Sequence, residues 1–294
     1  MLIVLAADDN YALPCGVCIT SILTNNASED IKFAVLTKGL NEDNERRLKQ
    51  TALRFNRDIE IKKIDDSVFQ NLQVSERFPQ SIYFRFLIPM LFPEVPLALY
   101  LDCDIIVNGS LLSLFNQDIK GYACACIEDQ RGDDIRIKNL MPDIDAYFNS
   151  GVMLLNLDYW RKHDIHLKCI EYIATHDNLL FPDQDALNNI LLNQVKFIGY
   201  EWNFQEYLYF PEEELFLSRI KWPLVQRAKQ NPRIIHYTGI IKPWYNENQH
   251  PQKDIFIKYL LSSEWKDISL KNYYHYPSLY RRAINFLLRK IGLR

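Results

Sequence analysis

Apolar and polar positions along this chain fall into short alternating blocks. Residues 2–7 form an uninterrupted apolar run rich in Ile, Val and Leu, the pattern of a strand covered on both faces. The run stops at Asp8-Asp9-Asn10-Tyr11, and Pro14 then suits the first turn of a helix reaching about Asn25. Residues 31–37 read as a second strand, 41–56 as a charged surface helix and 59–64 as a third strand. Residues 81–92 read as helical, enclosing Tyr83 and Arg85, and 97–101 as a buried strand. This alternation predicts an α/β fold: a mostly parallel twisted sheet with helices on both faces, binding ligands at the carboxyl ends of its strands.

The strand at 97–101 runs directly into Asp102-Cys103-Asp104, followed by apolar Ile105-Ile106-Val107 and a short helix at 110–115. Downstream come a strand at 124–127, a polar loop at 128–145, and Tyr147-Phe148-Asn149-Ser150-Gly151 opening a strand that ends at Asn156. One helix is predicted from Asp158 to about His176, and another begins at the polar stretch 182–188. The strand-like Arg233-Ile234-Ile235 leads to His236-Tyr237-Thr238-Gly239, with Lys242-Pro243-Trp244 completing that loop. The stretch 201–230 gives no readable pattern.

Composition narrows the class. With 294 residues and 48% hydrophobic content the chain can bury a sizeable core, and without a repeat period or low-complexity tract it reads as one catalytic domain over 1–265 with a tail at 266–294. A net charge of −3 gives no global attraction to nucleic acid, which is not an expected partner. The first residues carry no positively charged region or long apolar stretch of a signal peptide, and no window approaches the ~20 apolar residues that span a bilayer. A cytoplasmic protein is expected, peripheral on the inner face of the membrane if the tail binds there. That tail holds six basic residues and no acidic one after Ser269. After Pro277 a helix would place Tyr280, Ala283, Ile284, Leu287, Leu288 and Ile291 opposite Arg281, Arg282, Asn285 and Arg289. A basic amphipathic helix of this kind suits an anionic membrane surface; packing on the domain or on a dimer partner is the alternative. Of the six cysteines, Cys15 and Cys18 form a Cys-x-x-Cys pair at a helix start, but on so apolar a face they read as packing rather than redox chemistry.

The strongest local signal is Asp102-Cys103-Asp104. Two carboxylates at the end of an apolar strand are costly unless paired or metal-bound. In an extended segment Asp102 and Asp104 share a face while Cys103 packs on the other, so both can reach one hard cation such as Mg²⁺ or Mn²⁺, which often bridges to substrate phosphates. Phosphatases of the haloacid dehalogenase type also place Asp-x-Asp after a strand, but near the N-terminus and with Thr or Val where Ile106 stands here. His236 is the natural third ligand, and an imidazole beside two carboxylates tilts the choice toward Mn²⁺. Gly239 and Lys242 offer bare backbone and a point charge suited to a diphosphate.

Taken in order, several motifs resemble glycosyltransferase family 8, the group containing bacterial lipopolysaccharide galactosyl- and glucosyltransferases and, more distantly, glycogenin. They are Ala6-Ala7-Asp8-Asp9-Asn10-Tyr11, Arg85, the stretch ending in Asp102-Cys103-Asp104, Tyr147-Phe148-Asn149-Ser150-Gly151-Val152, Asp183-Gln184-Asp185, and His236-Tyr237-Thr238-Gly239 with Lys242-Pro243-Trp244. The resemblance implies a GT-A (Rossmann-like) fold, a UDP-sugar donor, Mn²⁺ with Mg²⁺ as the alternative, and retention of anomeric configuration. It implies transfer of galactose or glucose to a hydroxyl of a saccharide or glycolipid acceptor in lipopolysaccharide or cell-surface glycan synthesis. Carried over residue by residue, Ala6, Asp8, Asn10 and Tyr11 would hold uracil and ribose. Asp102, Asp104 and His236 would bind the metal, with Cys103 counted in the donor-binding segment, and Gly239 and Lys242 would grip the diphosphate. Arg85, Asn149, Asp183 and Gln184 would surround the hexose, Gln184 nearest in role to the group beside the anomeric carbon, whether as attacking group or as guide. The plainer readings are a helix ion pair for Arg85, a turn residue at Asn149 and a helix N-cap at Asp183. For the whole chain, the alternative is a sugar-nucleotide-binding protein without turnover, against which stands the full set of metal and diphosphate residues.

Overall fold

The strand β1 (Leu2–Ala6) shows why the apolar runs are continuous: its alternate side chains feed two different cores. Ile3 and Leu5 belong to one apolar cluster and Val4 to the other, and β4 (Leu97–Leu101) divides in the same way, Leu99 and Leu101 against Ala98 and Tyr100. Successive side chains of a strand point to opposite faces, so a sheet covered on both sides shows no polar alternation. Each such Leu or Ile side chain contributes on the order of 1.5–3 kcal/mol by leaving water.

The protein is represented by a computed structural model that describes residues 1–273 apart from 71, 76–77, 135–136, 138–140, 142–143, 145 and 178. The tail helix expected after Pro277, and much of the polar loop at 128–145, lie outside the described residues. Among those described, strands β1, β2 (Lys32–Thr37), β3 (Ile59–Lys63), β4, β6 (Cys124–Glu128), β7 (Phe148–Asn156) and β8 (Val195–Phe197) form one sheet in the order β3-β2-β1-β4-β7-β6-β8. A second, three-stranded sheet has the order β5-β10-β9, from Ile105–Val107, Ile234–His236 and Phe204–Gln205. The large sheet is mostly parallel, as expected; β7 runs antiparallel to both β4 and β6.

Helix α1 (Ala12–Asn25) packs between α2 (Glu42–Leu53) and a C-terminal helix that follows residue 250, and almost every one of its positions is buried. Two of its polar residues bond the free edge of β5, where Ser21 Oγ accepts from Val107 N at 2.9 Å and Asn25 Nδ2 donates to Val107 O at 3.0 Å. All six cysteines are buried free thiols, so Cys15 and Cys18 are packing residues.

Two helix expectations need correction. Residues 80–87 form a 3₁₀ rather than an α segment, preceding the short helix α3 (Ile88–Leu91). Its three-residue repeat stacks the rings of Tyr83 and Phe86 and lets Arg85 Nε donate to Ile82 O at 2.8 Å. A further short helix is α4 (Leu112–Phe115). The single helix expected over 158–176 is two, α5 (Leu157–Lys162) and α6 (Ile165–Thr175). They are separated by Asp164 in the left-handed region at φ 52°, a conformation Asp tolerates better than most residues. Helices α7 (Pro182–Ile190), α8 (Trp222–Gln230) and α9 (Lys253–Ser262) complete the fold. Among the described residues no helix is long and apolar enough to cross a membrane.

Candidate active site

The acidic pair sits where the chain changes sheets. Asp102 N donates to Gly151 O at 2.9 Å, so Asp102 is still clipped to β7 of the large sheet. Two residues later Asp104 O accepts from Tyr237 N at 3.0 Å, and Ile105 pairs with His236 in the small sheet. The antiparallel register of β5 and β10 therefore delivers His236 to the acidic pair from more than a hundred residues away. Cys103, on the opposite face, lies in the α1 core and donates its thiol to Ala6 O at 3.2 Å.

One oxygen from each of Asp102 and Asp104 and a ring nitrogen of His236 lie within 4.8 Å of one another. His236 Nε2 is 3.1 Å from Asp104 Oδ1 and 3.8 Å from Asp102 Oδ2. Two carboxylate oxygens and one imidazole nitrogen, partly buried together, make a donor set that fits a divalent cation such as Mn²⁺. Lys242 Nζ, 2.6 Å from Asp104 Oδ2, also donates to Tyr237 O at 2.8 Å. Burial alone would raise the Asp104 carboxyl, yet Lys242, joined by His236 when its imidazole carries both protons, outweighs it and holds that group well below the usual carboxylate range. Gly151 is the floor: a Cβ there would lie 2.3 Å from His236 Cε1 and 2.6 Å from Asp102 Oδ2.

The four residues expected around the hexose form one buried network beside this trio. Arg85 Nη2 donates to Asp102 Oδ1 at 3.0 Å, and Arg85 Nη1 lies 3.0 Å from Asp183 Oδ2. The guanidinium is covered by the Tyr100 ring, 4.4 Å from its centroid, and Tyr100 OH donates to Asp102 Oδ1 at 2.8 Å. Asp183 also accepts from Ser150 Oγ at 2.9 Å; burial pushes its carboxyl up, with Arg85 opposing and Asp102 adding to the rise. Arg85 is thus a bridge between carboxylates, and Asp183 bonds to Arg85 and Ser150 while the N-cap position of α7 is Phe181. Asn188 pins α7 to β7 by bonding both Phe148 N and Phe148 O, at 2.8 and 2.9 Å. Tyr147 OH and Phe181 N both donate to Asp185, at 2.5 and 3.0 Å, which fixes the start of the same helix.

The residues expected to hold the nucleotide and the diphosphate lie next to this site. Tyr11 packs edge-on against Trp244 with ring centroids 5.7 Å apart, and burial followed by the Asp104 charge raises its hydroxyl well above the ordinary tyrosine value. Asp8 Oδ1 accepts from Tyr11 N at 3.0 Å, tightening the turn into α1, while Asn10 is exposed. Ala6 is half-buried and tied to Cys103 as described. Gly239 has a more specific occupation than bare backbone: its N–H donates to Glu206 Oε2 at 2.7 Å, and a Cβ at 239 would lie 2.0 Å from that oxygen.

Several contributors carry no motif. Asp129 Oδ2 accepts from Asn149 Nδ2 at 3.0 Å and from Gln184 Nε2 at 3.1 Å. Asn203, in the stretch that gave no readable pattern, is fully buried and joins His236 to Asn149. Glu206 comes from the same stretch. The signal that could have found them is a polar residue inside a short, otherwise aromatic segment, Trp202-Asn203-Phe204.

Residues 2–248 match the family described as Glycosyl transferase family 8. General stress protein A of Bacillus subtilis (strain 168) is 35% identical over 277 residues, covering 91% of this chain and 96% of that protein. A lipopolysaccharide 1,2-glucosyltransferase of Escherichia coli is 30% identical over 271 residues, covering 90% of this chain and 79% of that one. A crystal structure of the galactosyltransferase LgtC with donor and acceptor sugar analogues aligns with a TM-score of 0.80 at 26% identity, over 96% of this chain and 99% of that one. The fold is of the GT-A type. Since the family match spans every motif that converges on this one site, the chain belongs to glycosyltransferase family 8.

Proposed function

We propose that this chain is a retaining hexosyltransferase that uses a divalent cation, Mn²⁺ in preference to Mg²⁺, to move galactose or glucose from a UDP-sugar to a hydroxyl of a saccharide or glycolipid acceptor. The observation that carries the reading is the meeting of Asp102, Asp104 and His236 within 4.8 Å, with Lys242 on the outer oxygen of Asp104. The similarity to a lipopolysaccharide glucosyltransferase and to a galactosyltransferase supports a role in lipopolysaccharide or other cell-surface glycan synthesis.

Asp102, Asp104 and His236 would hold the cation, which would supply Lewis-acid charge for departure of the diphosphate. Lys242 adds a fixed positive charge at the same edge, preorganised by its two hydrogen bonds. Arg85 holds Asp102 and Asp183 in one rigid frame, so the sugar-side carboxylate keeps a set distance from the acidic pair. Gln184 Oε1 accepts from Asn149 Nδ2 at 3.1 Å and from Ser150 N at 3.0 Å. With those lone pairs committed, Gln184 serves as a guide for the hexose face rather than as the attacking group. The nucleotide end would rest on Ala6, Asp8, Asn10 and Tyr11.

The catalytic unit is assigned to 1–265 and the basic tail at 266–294 to an anionic membrane surface. Full-length protein that stays in the supernatant with phosphatidylglycerol vesicles at low salt would remove the tail assignment. For the chemistry, a panel of UDP-hexoses with Mn²⁺ is scored for slow UDP release. Release for one hexose is expected, slowed about 100-fold or more by Asp104→Asn. Release that ignores this substitution would sink the metal reading.

A further inference from the structure

The hydrogen-bond directions around His236 can be settled one group at a time. Asp129, a carboxylate, only accepts, and it faces Asn149 at 3.0 Å, so Asn149 must present its NH₂ there. The other end of that amide, Oδ1, then accepts from Gly151 N at 3.0 Å, a donor that a flipped amide would oppose. Because Asn149 Oδ1 only accepts, Asn203 must turn its NH₂ toward it, at 2.8 Å. That leaves Asn203 Oδ1 facing His236 Nδ1 at 2.9 Å, and His236 must donate from Nδ1. In the neutral imidazole the proton is therefore on Nδ1, and the lone pair of Nε2 points at the acidic pair.

Nε2 and Asp104 Oδ1, 3.1 Å apart, then face each other as two acceptors. A cation held by both groups would remove that repulsion, with the Nε2 lone pair already turned toward the acidic pair. We infer that Asn203 is a positioning residue for transfer: it fixes His236 as the Nδ1–H tautomer and couples the metal ligand to Asn149 on the sugar side. This rests on the metal-centre reading above. Asn203 is fully buried, and the two ends of its side-chain amide serve Asn149 and His236. Partners of this kind on ligating histidines typically alter metal affinity by about 10- to 100-fold when removed.

The test uses the full chain with Mn²⁺ alone as the probe, read by electron paramagnetic resonance, and ¹⁵N-histidine NMR of the metal-free protein at pH 8. A pyrrole-type Nδ1 and a pyridine-type Nε2 are expected for His236 in the wild type, assigned by loss of the signals in His236→Ala. Asn203→Leu should weaken Mn²⁺ binding about 10- to 100-fold and lose the tautomer preference, and should have no further effect on binding in the His236→Ala background. Asn203→Asp keeps an acceptor for Nδ1–H but turns an oxygen toward Asn149 Oδ1. It should hold Mn²⁺ affinity within a few-fold of wild type while raising KM for the UDP-sugar, and it keeps the idea testable if the leucine variant fails to fold. An Nε2–H tautomer in the wild type, or equal Mn²⁺ affinity in Asn203→Leu and wild type, overturns the inference alone. A wild type that binds no Mn²⁺ overturns the metal-centre reading, and the inference with it.

Discussion

Replacing Gly151 by alanine is the sharpest perturbation of this site. The added Cβ would fall 2.3 Å from His236 Cε1, 2.6 Å from Asp102 Oδ2 and 3.1 Å from Asn149 Oδ1. Carbon atoms rest at about 3.5 Å or more, so the first of these contacts is short by about 1 Å. At this position the β7 backbone is held by β4, whose pairing reaches Leu101 opposite Val152 and continues in the bond from Asp102 N to Gly151 O, so it has little room to withdraw. His236 and Asp102 must move instead, and metal-ligand distances tolerate only about 0.2 Å. Mn²⁺ affinity is expected to fall about 100-fold, or about 3 kcal/mol, with an overpacking cost to stability of about 1–3 kcal/mol. Gly16→Ala is the control: its Cβ would lie 1.9 Å from Trp265 Cζ3, comparable strain with no metal ligand among its contacts. Mn²⁺ titration and thermal unfolding in chelator, run on both variants, separate the two effects. A Gly151→Ala protein that folds and binds Mn²⁺ within threefold of wild type would refute the reasoning.

Two further outcomes follow from the same contacts. Lys242→Met removes the cation 2.6 Å from Asp104, so UDP affinity in the presence of Mn²⁺ should drop about tenfold by calorimetry. Unchanged affinity would mean that Lys242 serves Asp104 alone. Burial holds His250 down at about 4, against about 6.5 in an unfolded chain. The unfolded state therefore binds the extra proton first: this contribution is complete above pH 6.5 and is lost as pH falls toward 4, amounting to about 3 kcal/mol. Urea midpoints at pH 7.5 and 4.5 should differ less in His250→Phe than in wild type, and an identical difference would exclude His250 as the source.

What was legible in the sequence is what has a local energetic signature. Asp102 and Asp104 stand out because carboxylates at the end of an apolar strand need compensation, and the continuous runs of β1 and β4 announce a sheet covered twice. The break at Asp164 was not legible, because buried positions continue through it from Trp160 to Ile165, Cys169 and Ile173. A helical period survives when one residue adopts a left-handed conformation and the axis turns. Asn203 was hidden for a different reason. Its partners His236 and Asn149 are brought to it by the pairing of β9 with β10 and by β7, and an isolated amide beside a two-residue strand reads as loop.

The junction between the sheets gives the site its sensitivity. Asp102 is bonded through its backbone to the large sheet and Asp104 to the small one, with a single residue, Cys103, between them. His236 belongs to the small sheet, whereas Gly151, Asn149 and Arg85 hold the large-sheet side. Any change that slides one sheet on the other therefore alters the distance between Asp102 and the Asp104–His236 pair directly. The core that sets this relation includes Cys103 together with Cys15 and Cys18 of α1. A volume change there is cushioned in stability by a large cluster but not in geometry, where tenths of an ångström decide ligation. The buried thiols behind the acidic pair thus shape the candidate metal site: small apolar side chains of fixed volume, set where one strand must serve two sheets.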